Sequence, residues 1–330
     1  MTSRRVLFIG GTGIISTSSG RRALEQGWDL TLLNRGSSTT RPVPDGAEVV
    51  VADIRDPACV KAALGDREFD AVVDFVAFTP EHVKADVEVF TGRTGQYVFI
   101  SSASAYQTPP ARLPILESSP LRNPAWEYSQ NKIAAEQVLV DAYRSTGFPA
   151  TIVRPSHTYD ETALPTTGGW TDIDRMRRGV PVVVHGDGSS IWVLTHSRDF
   201  AVAFVGLLGH PQAVGDSFHI TSDQLLTWDQ IYRELGAAAG VEPNLVHVTS
   251  DDIALLHPPF GPGLLGDKTH SVIFDNSKVK ALVPEYVATT PFSVGAREII
   301  AWYDADASRR TVDADTDAVF ERILAATKQG

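Results

Sequence analysis

The sequence contains a single cysteine, Cys59, among its 330 residues. One cysteine cannot close a disulfide within the chain, and this favours a reducing compartment. The sequence also lacks any run of about 18 apolar residues, so we expect no transmembrane helix. The apolar stretch after Arg4 and Arg5 is too short for a signal peptide and is cut by glycine. We therefore expect a cytoplasmic protein without a membrane partner.

Basic residues are also scarce. The chain has 29 lysines and arginines against 40 aspartates and glutamates, which gives a formal net charge of −11. An acidic surface repels nucleic acid, and no basic stripe offsets it here, so we expect a small-molecule substrate and no nucleic-acid partner. The nine histidines show neither H-x-x-x-H nor H-E-x-x-H spacing, and no metal site is predicted.

Short apolar segments alternate with helical ones through the first half of the chain. Apolar strands between helices are typical of a parallel sheet covered on both faces, as in a doubly wound (Rossmann) α/β fold. The predicted strands are RVLFI, DLTLL, EVVVA, FDAVVDFVA, QYVFISS and ATIVRP. The predicted helices run from about Ile14 to Gln26, over PACVKAALG, over EHVKADVEVFTG, and from about Glu127 to Arg144.

After residue 160 the alternation gives way to loops rich in proline and glycine, such as ALPTTGG and HPPFGPGLLG. We therefore predict two parts. Residues 1–165 form mainly the sheet domain, to which segments near 191–222 return. Residues 166–330 form mainly a smaller α/β substrate lobe at the carboxyl ends of the strands, where such folds bind their ligands.

Three glycines, Gly10, Gly11 and Gly13, separate the first predicted strand from the first predicted helix. Glycine permits a tight turn through which a pyrophosphate reaches the helix amino-terminus, where N–H groups and the helix dipole bind anions. A purely structural turn is the alternative. Because strand, turn and helix occur together, we predict that the sheet domain binds NAD(P). The predicted contacts in this turn are Gly10, Thr12, Gly13, Ile14 and Ile15.

The end of the second strand bears on the choice of cofactor. An acidic residue there would bind the adenosine ribose of NAD, but this chain has Asn34 and Arg35. Arg35 can pair with the 2′-phosphate of NADP, so NADP is favoured over NAD; an arginine in solvent is the alternative. Asp53 and Ile54, after the third strand, are predicted to meet the adenine, with a helix cap as the alternative role for Asp53.

A Tyr-x-x-x-Lys pair follows the fifth predicted strand. Tyr128 and Lys132 are four residues apart and therefore share one face of a helix. A phenol has a pKa of about 10, and a nearby ammonium lowers that pKa towards the range of a useful base. Ser102, at the end of the strand, is expected to bind a substrate oxygen in the same crevice. An ordinary surface pair on a helix is the alternative.

The segments GGTG, SSASAY, YSQNK and VRPSHTY occur in the order of the extended short-chain dehydrogenase/reductase family, in its NAD-dependent epimerase/dehydratase branch. The chain resembles that family over nearly its whole length, with some similarity to the subgroup of chloroplast stem-loop-binding proteins. The resemblance implies that Tyr128 is the catalytic acid/base, Lys132 its partner and Ser102 the third member. The resemblance is also compatible with a homodimer. Further predicted cofactor contacts are Tyr128 and Lys132, whose ammonium can hold the ribose hydroxyls of the nicotinamide. The resemblance adds Phe75, Val76, Ala77, Ser101, Pro155 and Ser156.

Three departures from the family pattern concern the substrate. The family's sugar-nucleotide 4,6-dehydratases carry an Asp-Glu pair where this chain has Ala103 and Ser104, so we expect no such dehydration. His157 replaces a substrate-binding asparagine, and it is predicted to bind substrate or carry a second proton, unless it is structural. Trp192 replaces an arginine that binds the nucleotide diphosphate, and it forms an apolar wall or belongs to the core.

Two contacts to a nucleotide diphosphate are thus missing together, unless the fold supplies a distant arginine such as Arg175, Arg177 or Arg178. The predicted substrate groups are Ser104, His157 and Trp192. We predict an oxidoreductase or epimerase that acts on a carbinol or keto carbon of a sugar-like small molecule without a nucleotide diphosphate. A nucleotide-sugar epimerase or reductase is the alternative within the family. An RNA-binding or NADP-binding regulatory protein without catalysis is the alternative from another class.

Overall fold

The computed structural model describes residues 4–36 and 40–327. The strands are β1 (Arg5–Ile9), β2 (Asp29–Asn34), β3 (Glu48–Val51), β4 (Ala71–Asp74), β5 (Tyr97–Ile100), β6 (Ala150–Pro155), β7 (His157–Tyr159), β8 (Val182–His185), β9 (Ile191–Trp192), β10 (Leu194–His196), β11 (Ser217–Ile220), β12 (Leu226–Thr227) and β13 (Leu245–Val248). The helices are α1 (Ile14–Glu25), α2 (Pro57–Leu64), α3 (Pro80–Phe90), α4 (Glu127–Thr146), α5 (Trp170–Arg178), α6 (Ser197–Leu207), α7 (Trp228–Ala238), α8 (Ser250–Leu256), α9 (Gly261–Gly263), α10 (Ser277–Leu282), α11 (Phe292–Asp304) and α12 (Ala314–Thr327). A π-helical turn spans Leu264–Lys268, and single 3-10 turns span Ala103–Ala105, Pro211–Ala213, Pro258–Phe260 and Ala307–Arg309.

Seven strands form a parallel sheet in the order β11-β6-β5-β4-β1-β2-β3. The order reverses between β1 and β4, and in open α/β sheets ligands bind beside the carboxyl ends of the strands at such a reversal. The predicted doubly wound fold is therefore confirmed. The reversal marks where a ligand site is expected.

Both faces of the sheet are buried along its inner strands, as the near-continuous apolar segments predicted, whereas the edge strand β3 is largely exposed. Along β1, Val6 and Phe8 belong to one apolar core, whereas Leu7 and Ile9 belong to the other. The first core is closed by α1 and α6, which pack against each other, and the second by α3 and α4. The alternation of side chains along each strand thus supplies both cores at once.

Strand β4 is shorter than the predicted segment from Phe69 to Ala77. The strand ends at Asp74 because the carboxylate of Asp74 turns back to accept hydrogen bonds from the N–H groups of Val76, at 2.5 Å, and Ala77, at 2.7 Å. An aspartate that binds the backbone two and three residues later makes a turn instead of extending a strand. The turn fixes the backbone on the floor of the crevice.

The second half of the chain builds a smaller lobe and also completes the sheet. In the lobe, β8 pairs with β13 in parallel and β9 pairs with β12 in antiparallel. Between these elements the chain returns to the sheet, where α6 packs against α1 and β11 pairs with β6. Within the described ranges, no helix is long and apolar enough to cross a bilayer.

A buried ion pair joins α4 to the sheet. The guanidinium of Arg154, on β6, donates to both carboxylate oxygens of Glu136, at 2.9 and 2.6 Å, and both side chains are almost fully buried. The hydroxyl of Ser101 donates to the same carboxylate at 2.5 Å. Glu136 lies one turn after Lys132, so this pair holds the predicted catalytic helix against the carboxyl ends of β5 and β6.

We expect Arg154→Met to lower the free energy of unfolding by about 3–5 kcal/mol, because it leaves Glu136 as a buried carboxylate without its cation. Adding Glu136→Met should recover most of the loss. The matched control is Arg67→Met, which breaks the exposed pair between Arg67 and Glu48 and should cost about 1 kcal/mol or less. Urea denaturation measures all three, and equal effects of the two single variants would contradict the role given to the buried pair.

Candidate active site

The glycine-rich turn between β1 and α1 has no side chains at Gly10 and Gly11, where the backbone passes close to its neighbours. Gly10 has a φ of +82°, and a Cβ there would collide with Val76 on the β4 side. A Cβ on Gly11 would lie 2.5 Å from Leu32 of β2. The backbone therefore passes tightly between two strands before it enters α1. The positive φ of Gly10 requires glycine there, and a side chain at Gly11 would displace Leu32.

The amino-terminus of α1 is open towards this turn. No acidic residue occupies its first turn, and its Ncap residue, Gly13, has no capping side chain. The hydroxyl of Ser16 accepts a hydrogen bond from the N–H of Gly13 at 2.8 Å, so Ser16 stabilises the turn. The N–H groups at the start of a helix have no partner within the helix, and Ile14 and Ile15 supply them here. This bare, positively polarised cradle fits the pyrophosphate of a dinucleotide.

Asn34 links the glycine turn to the end of β2. Its side-chain oxygen accepts a hydrogen bond from the N–H of Gly11 at 2.9 Å, while the neighbouring Arg35 is exposed. The amide nitrogen of Asn34 remains as a donor. Next to it, the carboxylate of Asp53 is exposed and accepts from the N–H of Arg55 at 2.9 Å. Asp56, not Asp53, caps α2, and Ile54 is buried in the core.

Lys132 is buried between the carboxyl ends of β4 and β5. Its ammonium donates to the carbonyl oxygens of Ala77 and Ile100, both at 2.7 Å, and one N–H remains. The ring centroids of Phe99 and Phe78 lie 4.8 and 4.9 Å from Nζ, and that of Tyr128 lies 5.7 Å away. Burial lowers the pKa of Lys132 to about 8, against the opposing charges of Asp74 and Glu136.

Tyr128 lies beside Ser102, as the sequence predicted, but its acidity differs from the expectation. Burial raises the pKa of Tyr128, the hydrogen bond with Ser102 lowers it, and the charge of Asp267 raises it further. Lys132 does not lower the pKa of Tyr128 in the structure, because the ammonium is directed at two carbonyls. Tyr128 is therefore a protonated phenol at neutral pH.

A chain of hydroxyl groups continues behind Ser102. Ser102 and Ser104 share a hydrogen bond of 2.9 Å between their hydroxyls, and the hydroxyl of Ser129 donates to that of Ser104 at 2.7 Å. Ser104 is almost fully buried. The predicted substrate group Ser104 thus supports Ser102, and it also lines the inner of the two cavities described next.

Two connected cavities open in front of Tyr128. The inner cavity, of about 290 Å³, is lined by Ser102, Tyr128 and Asp267 among others. The outer cavity, of about 780 Å³, continues past Phe78 and Glu127. Four residues line both cavities: Trp126, Tyr128, His157 and Lys268. The arrangement places a phenol, that of Tyr128, and a hydroxyl, that of Ser102, together in the wall of the inner cavity.

The family model of the NAD dependent epimerase/dehydratase family matches residues 6–221. The chain belongs to this family. It is 27% identical over 259 residues to a chloroplast stem-loop binding protein of 41 kDa (form b) of Arabidopsis thaliana, a match that covers 74% of this chain and 66% of that protein. It is 26% identical over 252 residues to a 2′-dehydrokanamycin reductase of Streptomyces kanamyceticus, with 75% and 70% covered.

The fold is also that of a solved UDP-glucose 4-epimerase from Bifidobacterium longum, in complex with NAD+ and UDP. The TM-score is 0.73 at 18% identity, and the match covers 92% of this chain and 99% of that one. At this identity the likeness concerns the fold. The match to the chloroplast relative covers about two thirds of that protein's length. It therefore does not establish the activity or the substrate of this chain.

His157 and Trp192 form one unit. The indole N–H of Trp192 donates to Nδ1 of His157 at 3.1 Å, and burial lowers the pKa of His157 to about 3. His157 is therefore neutral, and its proton is on Nε2. The neutral ring of His157 lines both cavities, and its predicted role towards a substrate stays a prediction. Trp192 is only 3% exposed and packs on Trp228 in the lobe core, and it also lines the inner cavity.

Arg175, Arg177 and Arg178 were the candidates for binding a diphosphate in place of the missing contact. In the structure none of the three lines either cavity. Arg175 bonds Asp317 and Glu321 of α12, and Arg177 and Arg178 pair with other carboxylates. Among the described residues, Lys268 is the only lysine or arginine that lines either cavity.

The remaining predicted cofactor residues lie around the crevice in different ways. Phe75 packs between Phe8 and Phe204, with ring centroids 5.2 and 5.7 Å apart. Ser101 is directed at Glu136 instead of the crevice. Pro155 and Ser156 line the inner cavity. Thus Val76, Ala77, Pro155 and Ser156 border the site, whereas Phe75 and Ser101 support it from behind.

Sequence reasoning missed several residues of the site. Trp126 stacks near Tyr128, with ring centroids 4.9 Å apart, and Phe78 covers Lys132. Arg55 reaches the carbonyl of Val76. Trp126, Phe78 and Arg55 each lie within two residues of a residue that the sequence predicts for the site. This proximity is the signal that could have found them. Asp267 and Lys268 belong to the smaller lobe, and no motif in the sequence around them predicts that they line the site.

We expect the affinity for NADPH to weaken as the pH rises through about 8. The lowered pKa means that Lys132 loses its proton, and with it a charged donor, earlier than an ordinary lysine. Below this pH the ammonium is intact and the affinity should be level. Nicotinamide fluorescence titrations between pH 6.5 and 9.5 measure the effect. Lys132→Met is the control, because it should bind more weakly and without this pH step; an unchanged step in that variant would refute the assignment.

Proposed function

We propose that the chain is an NAD(P)-dependent oxidoreductase or epimerase that acts on a carbinol or keto carbon of a sugar-like small molecule. The observation that carries the proposal is the grouping of Tyr128 and Ser102 at the bottom of the inner cavity, with Lys132 buried behind them. Family membership supports the same class of reaction.

The residues divide the work of such a reaction. When bound, the nicotinamide supplies or accepts the hydride. Tyr128 gives a proton to the oxygen of a ketone, or takes one from a hydroxyl in the reverse direction. Ser102 hydrogen-bonds the same oxygen, and Lys132 offers its remaining N–H at the carboxyl end of β5. As a protonated phenol, Tyr128 is ready for the reductive direction.

A substrate without a nucleotide diphosphate is favoured by the charges of the crevice. Diphosphates are bound best by arginine, which forms paired, charge-assisted hydrogen bonds. Of the lysines and arginines in the described ranges, Lys268 alone lines the two cavities, and the carboxylates of Asp267 and Glu127 oppose an anion there. The relatives' names include both a UDP-glucose 4-epimerase and a 2′-dehydrokanamycin reductase, so the family alone leaves the substrate open.

NADP is the proposed cofactor in preference to NAD. The side-chain oxygen of Asn34 is bonded to Gly11, so this residue presents only its N–H donors to a ligand. Arg35 is exposed next to it. Two donors and no carboxylate at the end of β2 suit a 2′-phosphate better than a ribose hydroxyl.

The wider setting follows the same proposal. We assign cofactor binding mainly to residues 1–165 with the segments near 191–222, and substrate binding mainly to residues 166–330. The return of α6 and β11 to the sheet supports this division. The single cysteine supports a cytoplasmic location, and the net charge of −11 opposes a nucleic-acid partner. A homodimer remains a proposal from the family resemblance.

A panel of substrates tests the activity. Free sugars, polyols and glycosides should turn over, whereas UDP-, GDP- and dTDP-sugars should bind poorly, because no arginine in the described part of the chain lines either cavity. Turnover is followed by nicotinamide absorbance and by analysis of epimers. Tyr128→Phe should reduce the rate roughly 10²- to 10⁴-fold, the usual contribution of general acid–base catalysis, with little change in cofactor affinity.

Two results would count against the proposal. Turnover by Tyr128→Phe at the parent rate would remove Tyr128 from the chemistry, and micromolar binding of a nucleotide sugar with turnover would overturn the substrate class. The purified protein also distinguishes an epimerase from a reductase by whether it contains bound cofactor. An epimerase keeps its cofactor through the cycle and should co-purify with it, whereas a reductase must release it.

We expect NADPH to bind more tightly than NADH, and Arg35→Ala to narrow the difference roughly tenfold or more, because a charge-assisted bond to the 2′-phosphate is lost. Calorimetric titration of both cofactors measures the two affinities. Arg21→Ala removes an exposed arginine of the neighbouring helix α1 and should leave the ratio unchanged. Equal or tighter binding of NADH by the parent protein would show that the cofactor assignment is wrong.

A further inference from the structure

A carboxylate from the smaller lobe enters the inner cavity. Asp267 lies in the π-helical turn Leu264–Lys268 and lines the cavity together with Tyr128 and Ser102. It is close enough to Tyr128 for its charge to raise the pKa of the phenol. None of the steps assigned to Tyr128, Ser102 and Lys132 uses this group.

The turn that carries Asp267 is held firmly from both sides. The backbone carbonyl of Lys268 accepts hydrogen bonds from the side chains of His185 and Trp228, both at 3.2 Å, and of Ser190 at 3.3 Å. On the other side, the side-chain amide of Asn123 donates to the carbonyl of Gly266 at 2.6 Å. A side chain at Gly266 would press against Trp126. The position of the carboxylate is therefore fixed by its neighbours.

The carboxylate itself has little to bind. Within the described residues, no hydrogen bond reaches its oxygens, and its nearest cation is Nζ of Lys268 at 3.9 Å, too far for a hydrogen bond. The side chain is 21% exposed, and burial raises the pKa of Asp267 to about 6. A carboxylate that is mostly removed from water needs donors, and the cavity is where they can come from.

The surroundings favour a cation over a neutral donor. Trp126, Tyr128 and Phe274 line the same cavity, and aromatic faces attract ammonium groups. Glu127, at the outer cavity, adds a second carboxylate on the way in. Against these stands one ammonium, that of Lys268.

We infer that Asp267 binds an ammonium group of the substrate, so that the enzyme acts on amine-bearing sugars or aminocyclitols, with the amine close to the carbon that reacts at Tyr128. This inference rests on the proposed function for the identity of the reacting carbon. The binding of the amine rests on Asp267 and the inner cavity alone.

Binding without turnover tests the inference. Amino sugars and aminocyclitols are each paired with the analogue that carries a hydroxyl in place of the amine. They are titrated into the protein saturated with NADP+, by calorimetry and by tryptophan fluorescence, since Trp126 lines the cavity. At least one amine should bind roughly ten- to a hundredfold more tightly than its partner, the range for a charge-assisted hydrogen bond. Asp267→Asn, which keeps the shape and removes the charge, should abolish this difference.

The control is Asp251→Asn, which removes the same charge from an exposed position on α8 of the same lobe and should keep the preference for amines. No preference for any amine in the parent protein would overturn the inference, and this result does not depend on how the variants fold. A preference that survives Asp267→Asn would also overturn it. Because hydride transfer is not measured, a failure here is distinct from a failure of the proposed activity: selective amine binding without turnover would refute only the latter.

Discussion

The buried ammonium of Lys132 is the constraint on which the site depends. A charge removed from water must be paired or fully hydrogen-bonded, and here the carbonyl oxygens of Ala77 and Ile100 do this at the ends of two neighbouring strands. The requirement fixes the rotation of α4 against the sheet. Tyr128 lies one turn earlier on the same face of α4, so the same requirement turns Tyr128 towards the crevice.

The carbonyl that receives Lys132 is itself held by a carboxylate. Asp74 binds the N–H groups of Val76 and Ala77, and its negative charge partly offsets the burial of the lysine. A second buried acid, Asp86, lies close by and accepts from the hydroxyl of Tyr97 at 2.6 Å. Burial and the charge of Asp74 raise the pKa of Asp86 well above its usual range. This shift favours the protonated, uncharged form of Asp86.

Much of the fold was predictable because its signals are local. The six strands through β6 and the helices between them follow from alternation and apolar runs, and the turn at Gly10 follows from steric demands that only glycine meets. The residues proposed for the cofactor and for catalysis come from the same short motifs, and their roles remain predictions.

What the sequence could not show depends on contacts between distant segments. Asp267 reaches Tyr128 only because the lobe folds over the sheet, and no residue near it in sequence indicates this. Trp192 was expected as a wall or a core residue, and its bond to His157 needed the pairing of β9 with β12 and of β7 with β10. The raised pKa of Tyr128 follows from burial, which spacing along a helix does not reveal.

The position of strand β11 in the sequence has a consequence for the newly made chain. It pairs with β6 at the edge of the sheet, yet it is translated only after the first part of the lobe. Until then β6 has an unpaired edge, and such edges invite pairing with other chains. Any sheet that forms before residues 156–216 have emerged from the ribosome therefore carries this open edge.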